Sequence, residues 1–445
     1  MTEINLHIGD KVEIEIQSIL NSGEGVGRFN GIAVFVPYVC IGEVVEVLIE
    51  IVEKKFARGV LQNILKPSAD RTLAKCPHFQ KCNACKLSHM NYKAQLAVKE
   101  VFVKDALTRI GKIENPKIES IIGSKDEYNY RNKGEFRVQK AGDGKTIFGM
   151  ADAKGDFIRT ADCQLQHPLI IDILNEIEAL SVDFNISLAQ CVIKINDNNE
   201  ALVILTAWKG TDKQDIVSAA EKIGNGIEQV KGVLYNFVRS KNIALKTPIE
   251  LIFGSSFLNY KLNNISYRVS AESFFQVNFS SAEQLLNTVV DFAGEDLSEK
   301  ITLDAYSGVG TFLVPLAEKS AATIAIEDSV SAVDDANSNL AQYGIDGVKV
   351  YNNRVEPIIA RLNKKGRSSD IMVLDPPRKG IGAQCILEIA EMSPKKIIMV
   401  SCDPTTLARD LKELLPHGYK ITKIQPIDMF PQTVHVETVV LLNKI

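Results

Sequence analysis

Hydrophobic and polar residues alternate near the start of the chain in a pattern typical of short β-strands. The segment 11–17 alternates strictly, and apolar runs at 32–36, 43–49 and 58–64 follow, separated by turn residues. A glycine-rich stretch at 23–27 interrupts these runs and predicts a bend. Four or five strands in so short a segment predict a small closed barrel of the OB type, a fold suited to oligonucleotide binding.

The middle of the chain, from about 115 to 268, mixes strand and helix patterns. Apolar runs predict strands at 134–138, 191–195 and 201–205, and Cys191 alternates with apolar neighbours as a core residue would. This segment therefore predicts an α+β middle domain.

From residue 273 onward the pattern is that of an open α/β sheet. A helix is predicted at 281–293. The predicted strands are 301–304, 322–327, 371–374 and 396–400, followed by a hairpin of 421–430 and 435–442. Ligands bind outside the carboxyl ends of strands in such sheets, so the residues that follow these strands are the candidate site. The three patterns divide the chain into predicted domains at 1–67, 68–268 and 269–445.

Composition narrows the class of protein. The chain has 445 residues, of which 45% are hydrophobic and 24% charged, as in soluble globular proteins. No apolar run reaches the length of a membrane span and the first residues lack a signal-peptide pattern, so we expect a cytoplasmic protein. Eight cysteines in that compartment favour metal ligation or catalysis over disulfides.

The net charge of −4 does not by itself indicate a nucleic-acid binder, but charge is concentrated locally. Residues 71–99 contain six Lys or Arg and no Asp or Glu, and residues 131–145 contain five basic and two acidic residues. Four aromatic residues lie within or beside these segments, where they could stack on unpaired bases: Phe79, Tyr92, Tyr128 and Tyr130. A solvated charged face is the simpler alternative; we favour an RNA-facing surface.

Three cysteines fall within ten residues of a polar loop in a C-x5-C-x2-C array, and a fourth lies farther along the chain. They are Cys76, Cys82, Cys85 and Cys163. Four thiolates can hold either a tetrahedral zinc ion or a four-iron cluster, and the spacing does not choose between them. His78 and His89 are possible substitute ligands, although solvated loop histidines are the simpler expectation.

Two residues near the predicted strand ends are candidates for the chemistry. Cys402 follows the strand at 396–400, where a thiol of lowered pKa is a nucleophile; a small buried hydrophobe is the alternative. Glu437 begins the last apolar run and is a candidate general base, or else an exposed strand-end charge.

Two further carboxylates end predicted strands. Asp375 is followed by two prolines that fix the backbone past the strand end. Glu327 comes roughly twenty residues after a Gly-x-Gly turn at 308–310, the placement that binds ribose hydroxyls. A lone Gly-x-Gly is weak evidence, and the third glycine of a dinucleotide fingerprint is absent.

Several motifs together resemble a known family. The stretch Gly-Glu-Gly-Val-Gly-Arg with the later Val-Phe-Val-Pro resembles the TRAM domain of RNA-modifying enzymes. Ser-Phe-Phe-Gln-Val-Asn, Asp-x-Tyr-x-Gly-x-Gly, Asp-Pro-Pro-Arg, Ser-Cys-Asp-Pro-x-Thr-Leu-Ala-Arg-Asp and His-Val-Glu resemble the bacterial RNA (uracil-C5)-methyltransferases. The TRAM domain with the cysteine array resembles their 23S ribosomal RNA branch.

The resemblance implies a class I (Rossmann-like) S-adenosylmethionine methyltransferase domain behind an OB-like TRAM barrel and an α+β middle domain. It implies Cys402 as nucleophile and Glu437 as base in forming 5-methyluridine in 23S ribosomal RNA. The residue patterns do not indicate an oligomeric state, and a monomer without an obligate protein partner is the default expectation. The S-adenosylmethionine and uracil site would be lined by Gln276, Tyr306, Thr311, Glu327 and Asp375. The ligands of a [4Fe-4S] cluster would be Cys76, Cys82, Cys85 and Cys163.

One departure from the family pattern is visible. Relatives often carry Asn before a Leu-Glu pair, and this chain has Arg354 there, with Asn353 as a possible stand-in for adenine contacts. Other readings are a transfer RNA substrate, cytosine-C5 methylation by the same thiol chemistry, and a non-catalytic RNA-binding protein. Adenine-N6 methylation is disfavoured because Arg378 stands where an aromatic residue normally follows Asp-Pro-Pro.

Overall fold

The chain begins with a closed five-stranded barrel. The computed structural model describes residues 6–142, 144–152, 154–181, 186–238 and 248–445. The barrel strands are β1 Lys11–Ile19, β2 Glu24–Phe29, β3 Ile32–Pro37, β4 Val44–Val52 and β5 Phe56–Lys66. They close in the order β1-β2-β3-β5-β4, and over residues 11–17 every second side chain of β1 is buried, as the strict alternation there predicts. The predicted OB-like barrel is confirmed.

The glycine-rich stretch begins in a bend, where Gly23 adopts φ of +85°, but its remaining residues belong to β2, so the predicted bend at 23–27 is confirmed only at its first residue. A Cβ atom on Gly25 would lie 2.2 Å from a methyl group of Val39, and one on Gly27 would lie 2.6 Å from the carbonyl oxygen of Glu15. These glycines therefore allow close approach of neighbouring backbone and side chains within the barrel wall.

A second sheet occupies the middle of the chain. Its strands are β6 Lys133–Lys140, β7 Thr146–Ala151, β8 Phe157–Arg159, β9 Leu188–Ile195, β10 Ala201–Trp208, β11 Val230–Val238 and β12 Glu250–Gly254. The helices here are α1 Tyr92–Asp105, α2 Pro168–Leu180 and α3 Lys213–Gly226. The strand order is β12-β11-β10-β9-β6-β7-β8. Helices α2 and α3 cover one face, where Cys191 is fully buried as predicted.

The opposite face of this sheet packs on the last part of the chain through Val192, Leu202 and Ile204. That part begins with a two-stranded hairpin of β13 Phe257–Leu262 and β14 Ile265–Ser270. Strand β14 runs across the domain boundary predicted at residue 268. The three-domain division itself stays a prediction. Asp143, one of the two acidic residues counted in segment 131–145, lies outside the described residues.

The third sheet is the predicted open α/β sheet. Its strands are β15 Ile301–Ala305, β16 Ala322–Glu327, β17 Lys349–Asn352, β18 Ile371–Leu374, β19 Lys396–Ser401, β20 Tyr419–Ile427 and β21 Glu437–Lys444. The helices are α4 Phe279–Ala293, α5 Leu313–Ala317, α6 Val330–Gln342, α7 Val355–Lys364, α8 Ala383–Met392 and α9 Pro404–Leu414. Helices α4 to α6 contribute to one core cluster and α7 to α9 to another, so both faces are covered.

The order of this sheet is β17-β16-β15-β18-β19-β21-β20. Strands β15 to β19 are parallel, and β21 pairs antiparallel with both β19 and β20. Strand β17 was not predicted because none of its four side chains is fully buried, so it lacks an apolar run. The predicted hairpin strands, 421–430 and 435–442, are shifted in the structure: β20 is Tyr419–Ile427 and β21 is Glu437–Lys444.

Candidate active site

The structure places Cys402 beside Glu437. Strands β19 and β21 pair antiparallel with Ser401 opposite Thr438, so the next pair of positions is Cys402 and Glu437. Side chains at such directly opposed positions point to the same face, with Cβ atoms about 5 Å apart. Cys402 lies one residue past β19 and Glu437 is the first residue of β21. The two candidates for the chemistry therefore meet at one end of the sheet.

Burial controls the protonation of both groups. Glu437 is only 5% exposed, and loss of solvation, together with the nearby Asp375 carboxyl, raises the pKa of Glu437 to about 8. Burial also raises the pKa of the Cys402 thiol to about 11, with further contributions from Glu437 and Asp375. The Arg378 guanidinium acts in the opposite direction on the pKa of both groups.

The segment after Cys402 is fixed by a helix cap. The Asp403 carboxylate accepts hydrogen bonds from the backbone N–H groups of Thr405 and Thr406 at 2.8 and 3.4 Å, and from the Thr405 hydroxyl at 2.6 Å. Pro404 occupies the first turn of α9, where its missing N–H has no cost. The thiol thus lies at a helix N-terminus, whose dipole favours the thiolate.

The Asp375 loop is held by the end of the same motif that contains Cys402. The Asp410 carboxylate accepts the backbone N–H of Ile381 at 2.8 Å, and Arg409 donates to the carbonyl oxygen of Lys379 at 2.8 Å. Burial raises the pKa of Asp375 to about 7. Two motifs that are separate in the sequence therefore form one rigid wall of the site.

The Gly-x-Gly turn closes on Glu327. Gly308 and Gly310 adopt φ of +54° and +92°, and Tyr306 before them adopts +65°, a region that non-glycine residues rarely occupy. Glu327 accepts the N–H of Gly308 at 2.9 Å and the N–H of Ser329 at 2.9 Å. The carboxylate thus bridges the ends of β15 and β16 and shapes the turn.

Asp304 is a buried carboxyl without a partner among the described residues. It is 0% exposed, and neither of its oxygens has a hydrogen bond. Burial, with Asp375 and Glu327 nearby, raises the pKa of Asp304 well above its usual range. A buried carboxyl that lacks donors fits a site completed by a ligand that brings its own N–H or O–H groups.

The remaining predicted site residues form hydrogen bonds through their backbones. The carbonyl oxygen of Gln276 accepts a 2.9 Å hydrogen bond from Asn132, and its side chain is half-buried. The carbonyl oxygen of Thr311 accepts the Tyr267 hydroxyl at 3.0 Å. Asn353 donates its backbone N–H to the carbonyl oxygen of Glu327 at 2.9 Å, and both Asn353 and Arg354 are exposed. The backbone of Asn353 thus lies beside the end of β16.

The four cysteines line one small cavity. Cys76, Cys82, Cys85 and Cys163 surround it together with Arg131. Burial raises the pKa of the Cys85 thiol to about 12, and the sulfurs of Cys163 and Cys82 contribute. Within the described part of the chain, no three His, Cys, Asp or Glu side chains are placed to hold a single metal ion. The [4Fe-4S] ligand set stays a prediction.

Several residues predicted to face solvent or RNA are instead buried. His89 is 1% exposed, and its Nε2 lies 3.0 Å from the carbonyl oxygen of Val39, so the expectation of a solvated loop histidine was wrong. Lys99 is fully buried, and Tyr130 is 6% exposed with its hydroxyl donating to Pro431. These two cannot contact RNA as the sequence suggested.

Arg71 is also occupied, because it forms a two-pronged ion pair with the buried carboxylate of Glu43. By contrast, Lys75 and Tyr128 remain partly accessible, with the ammonium 4.4 Å from the ring centre. Phe274, next to Gln276, is 64% exposed. The aromatic and basic surface is therefore narrower than the charge count predicted.

Residue patterns missed part of the site. The motifs indicate no function for three residues near the site. Arg378 stands where other enzymes carry an aromatic residue, and neither Asp304 nor His435 is assigned a role. A signal was present for each, since all three belong to the motifs quoted above. Their burial and their proximity to Cys402 and Glu437 depend on which strands pair with each other, and the motifs do not specify that pairing.

Comparison with known proteins gives a consistent picture. Residues 91–445 match the family model described as tRNA (Uracil-5-)-methyltransferase, and residues 6–61 match the TRAM domain. A relative from Caldanaerobacter subterraneus, described as an uncharacterized RNA methyltransferase, is 34% identical over 98% of this chain and 99% of its own. A relative from Fusobacterium nucleatum with the same description is 32% identical over 99% and 97%.

A solved structure shares the fold. The Pyrococcus abyssi tRNA (uracil-54, C5)-methyltransferase, in complex with S-adenosyl-L-homocysteine, superposes with a TM-score of 0.73 at 24% identity, covering 96% of this chain and all of that one. The barrel and methyltransferase fold predicted from the sequence are confirmed. In the described residues, no helix combines the length and apolarity needed to cross a bilayer.

Proposed function

The chain belongs to the tRNA (uracil-5-)-methyltransferase family, and from this we propose that it methylates C5 of a uracil base in 23S ribosomal RNA. The observation that carries the proposal is the position of Cys402 and Glu437, one residue beyond the last pair of β19 and β21 (Ser401 opposite Thr438), where the Glu437 carboxylate contributes to the raised pKa of the Cys402 thiol. We further propose that it acts in the cytoplasm as a monomer, without an obligate protein partner.

The residue types match the chemistry of this reaction. Uracil C5 is a poor nucleophile toward a methyl donor. Addition of the Cys402 thiolate to C6 opens the C5–C6 double bond and makes C5 enolate-like, which divides one difficult step into easier ones. After C5 has accepted the methyl group, the Glu437 carboxylate removes the C5 proton. The freed electron pair restores the double bond, and Cys402 leaves as a thiolate.

The carboxyl end of β15, β16 and β18 suits S-adenosylmethionine, which supplies the methyl group as a sulfonium cation. The Asp304 carboxyl has no hydrogen-bond partner among the described residues, and in the neutral form that burial favours it offers one donor and one acceptor. The glycine turn leaves space for a ligand, since a Cβ atom on Gly308 would meet nothing within 4 Å. Glu327 retains acceptor capacity for ribose hydroxyls, and Asn353 lies next to it. Family membership supports this cofactor, and Gln276, Tyr306 and Thr311 are proposed as further contacts.

The uracil-facing side is proposed to consist of Asp375, Arg378 and Phe274. A protonated Asp375, whose pKa is about 7, offers both a donor and an acceptor to the edge of a uracil ring. The exposed ring of Phe274 is available for stacking on a base that has left its helix. The Arg378 guanidinium acts to lower the pKa of both Cys402 and Glu437. It therefore favours the thiolate that adds to C6 and the carboxylate that removes the C5 proton.

We also propose that the cysteine cavity holds a [4Fe-4S] cluster. Four sulfur donors around one cavity match the ligand number of such a cluster, and metal binding would displace the protons that the thiols otherwise keep. Iron, sulfide and zinc analysis of anaerobically purified protein tests this. Iron and sulfide present in the wild-type protein and lost in Cys85→Ser would support the cluster. Zinc without sulfide in the wild-type protein, or no metal at all, would overturn the proposal.

A transfer RNA substrate is the second candidate, because the family model and the Pyrococcus abyssi enzyme are both named for it. The 23S branch is favoured because the TRAM barrel and the cysteine array occur together in this chain. The chemistry at Cys402 and Glu437 is the same in both cases.

Mass spectrometry of RNA nucleosides separates these candidates. Ribosomal and transfer RNA would be fractionated from cells with and without the gene, and 5-methyluridine measured in each. Its loss from 23S RNA supports the proposal in full. Its loss from transfer RNA alone would show that the substrate is transfer RNA, with the reaction as proposed. Unchanged 5-methyluridine in both fractions would contradict the proposed activity.

A further inference from the structure

The loop between the last two strands, residues 428–436, leads directly into Glu437. It spans from Ile427 to Glu437, which pair with each other at its base. We refer to this segment as the hairpin loop. Its His435 ring packs edge-on against Phe430, with ring centres 5.9 Å apart. Burial and the Arg378 guanidinium lower the pKa of His435, so this end of the hairpin loop lies beside the site as well as next to Glu437 in the chain.

The other side of the hairpin loop is anchored by helix α1, more than 300 residues earlier in the chain. Lys99 donates to the Asp428 carboxylate at 2.6 Å and to the carbonyl oxygen of Phe430 at 3.0 Å. Both side chains of this ion pair are 0% exposed. The same Asp428 oxygen accepts the backbone N–H of Phe430 at 3.1 Å. Lys99 is thus bonded to two points of the loop and cannot reach RNA.

Gln95, one turn earlier on α1, bonds the centre of the hairpin loop. Its side-chain Oε1 accepts the backbone N–H of Gln432 at 2.9 Å, and its side-chain Nε2 donates to Oε1 of Gln432 at 3.1 Å. Gln432 adopts φ of +71°, in the left-handed region that glycine favours. A non-glycine residue keeps that conformation only when its surroundings impose it, and Gln95 is the side chain bonded to both its backbone and its side chain.

Stability alone is a weak reason for this arrangement. The loss of solvation on burying a Lys–Asp pair offsets much of the attraction between the two charges. Well-packed apolar residues in the same place often stabilise the folded protein as well or better. What the pair and the two glutamines provide, and apolar residues do not, is a fixed register of hydrogen bonds for a loop without regular structure. The anchoring therefore has a geometric role.

We infer that Gln95 and Lys99 are positioning residues, which hold the hairpin loop so that Glu437 faces the C5 proton of the covalently bound base. The inference rests on the proposed function, in which Cys402 forms the adduct and Glu437 resolves it. It predicts a defect confined to one step. Attack by Cys402 depends on the position of β19 and α9, and the hydrogen bonds of Gln95 and Lys99 do not reach these elements. Proton removal depends on Glu437, which follows the anchored hairpin loop.

The test compares adduct formation with adduct resolution. In Lys99→Met/Asp428→Asn, both charges are removed without leaving a lone buried charge, and the Asn oxygen can still accept the N–H of Phe430. Gln95→Met is the second variant, in case the first does not fold. Lys104→Met, an exposed position on the same helix, is the matched control. Each is incubated with methyl donor and RNA, quenched, and examined on denaturing gels.

We expect the anchor variants to form the adduct within about twofold of the wild-type rate and to release methylated RNA about 10- to 100-fold more slowly. The adduct should therefore accumulate, while KM for RNA and the melting temperature change little and Lys104→Met behaves as wild type. Unchanged release in both anchor variants, or formation and release that fall together with melting temperature, would overturn the inference. Glu437→Gln separates this from failure of the proposed function, because absence of an adduct there contradicts the reaction itself.

Discussion

Ionised Glu437 disfavours the thiolate form of Cys402, although the proposed reaction needs both groups without their protons. The carboxylate is a cause of the raised pKa of the thiol, which stands at about 11. In the ligand-free protein the pair thus favours proton-bearing forms. Positive charge at the site, from Arg378 or a sulfonium, shifts both groups toward the forms that react.

This relationship predicts a pH-dependent gain of thiol reactivity in Glu437→Gln. Because the pKa of Glu437 is about 8, the carboxyl is mostly neutral near pH 6 and mostly ionised near pH 9.5. The variant should therefore be alkylated at Cys402 about three- to tenfold faster than wild type near pH 9.5 and at the same rate near pH 6. Peptide mass spectrometry after iodoacetamide treatment measures this. The buried Cys191 is the internal control, and equal Cys402 rates at both pH values would contradict the expectation.

Removal of the nucleophile should separate binding from reaction. We expect Cys402→Ala to lose at least about 10³-fold of the methyl-transfer rate, because covalent addition at C6 is no longer available. S-adenosylhomocysteine should still raise its melting temperature as it does for wild type, since any ligand that prefers the folded state must do so. A variant with substantial turnover would remove Cys402 from the proposed role.

Replacement of the base should stop the reaction after methyl transfer. Glu437→Gln keeps the size of the side chain but cannot accept the C5 proton. We expect a covalent RNA–protein adduct that survives denaturing gels and carries label from methyl-labelled S-adenosylmethionine. The double variant with Cys402→Ala is the control and should show no adduct. Methylation at the wild-type rate without any adduct would assign the base to another residue.

The buried Asp375 should make stability depend on pH. Its pKa is about 7 in the folded protein against 3.8 for the free side chain, so it is raised by folding. Below pH 3.8 both states hold the proton and its contribution to stability is complete; as pH rises toward 7 only the unfolded state ionises, and that contribution is lost.

Asp375→Asn has no proton to lose at this position. Its free energy of unfolding relative to wild type should therefore increase between about pH 4 and pH 7, by at most about 4 kcal/mol and by less where solvent reaches the carboxyl. Urea unfolding at several pH values measures the difference. Lys104→Met serves as an unrelated exposed variant, and a difference that does not vary with pH would contradict the prediction.

The sequence predicted the parts of the fold that depend on local pattern. Strands β15, β16, β18 and β19 are short apolar runs followed by turn residues, so their ends, and with them Asp375 and Cys402, could be located in advance. Strand β17 could not, because its side chains are not fully buried.

Burial of polar residues could not be predicted, because their partners are distant in sequence. Lys99 was counted as surface charge, yet its partner Asp428 lies 329 residues later. Tyr130 was a candidate for base stacking, yet its hydroxyl bonds Pro431, 301 residues later. A pattern of residue types records neither contact, so charge and aromatic counts overestimated the RNA-facing surface.

The position of β21 has a consequence for synthesis on the ribosome. This strand comes last of the seven in the chain but lies inside the sheet, between β19 and β20. Strand β20 therefore has no partner in the sheet until residues 437–444 have been translated, and Glu437, the proposed base, is absent before then. A nascent chain arrested earlier would contain the whole barrel and all four cysteines of the small cavity and still lack one of the two residues to which we assign the reaction.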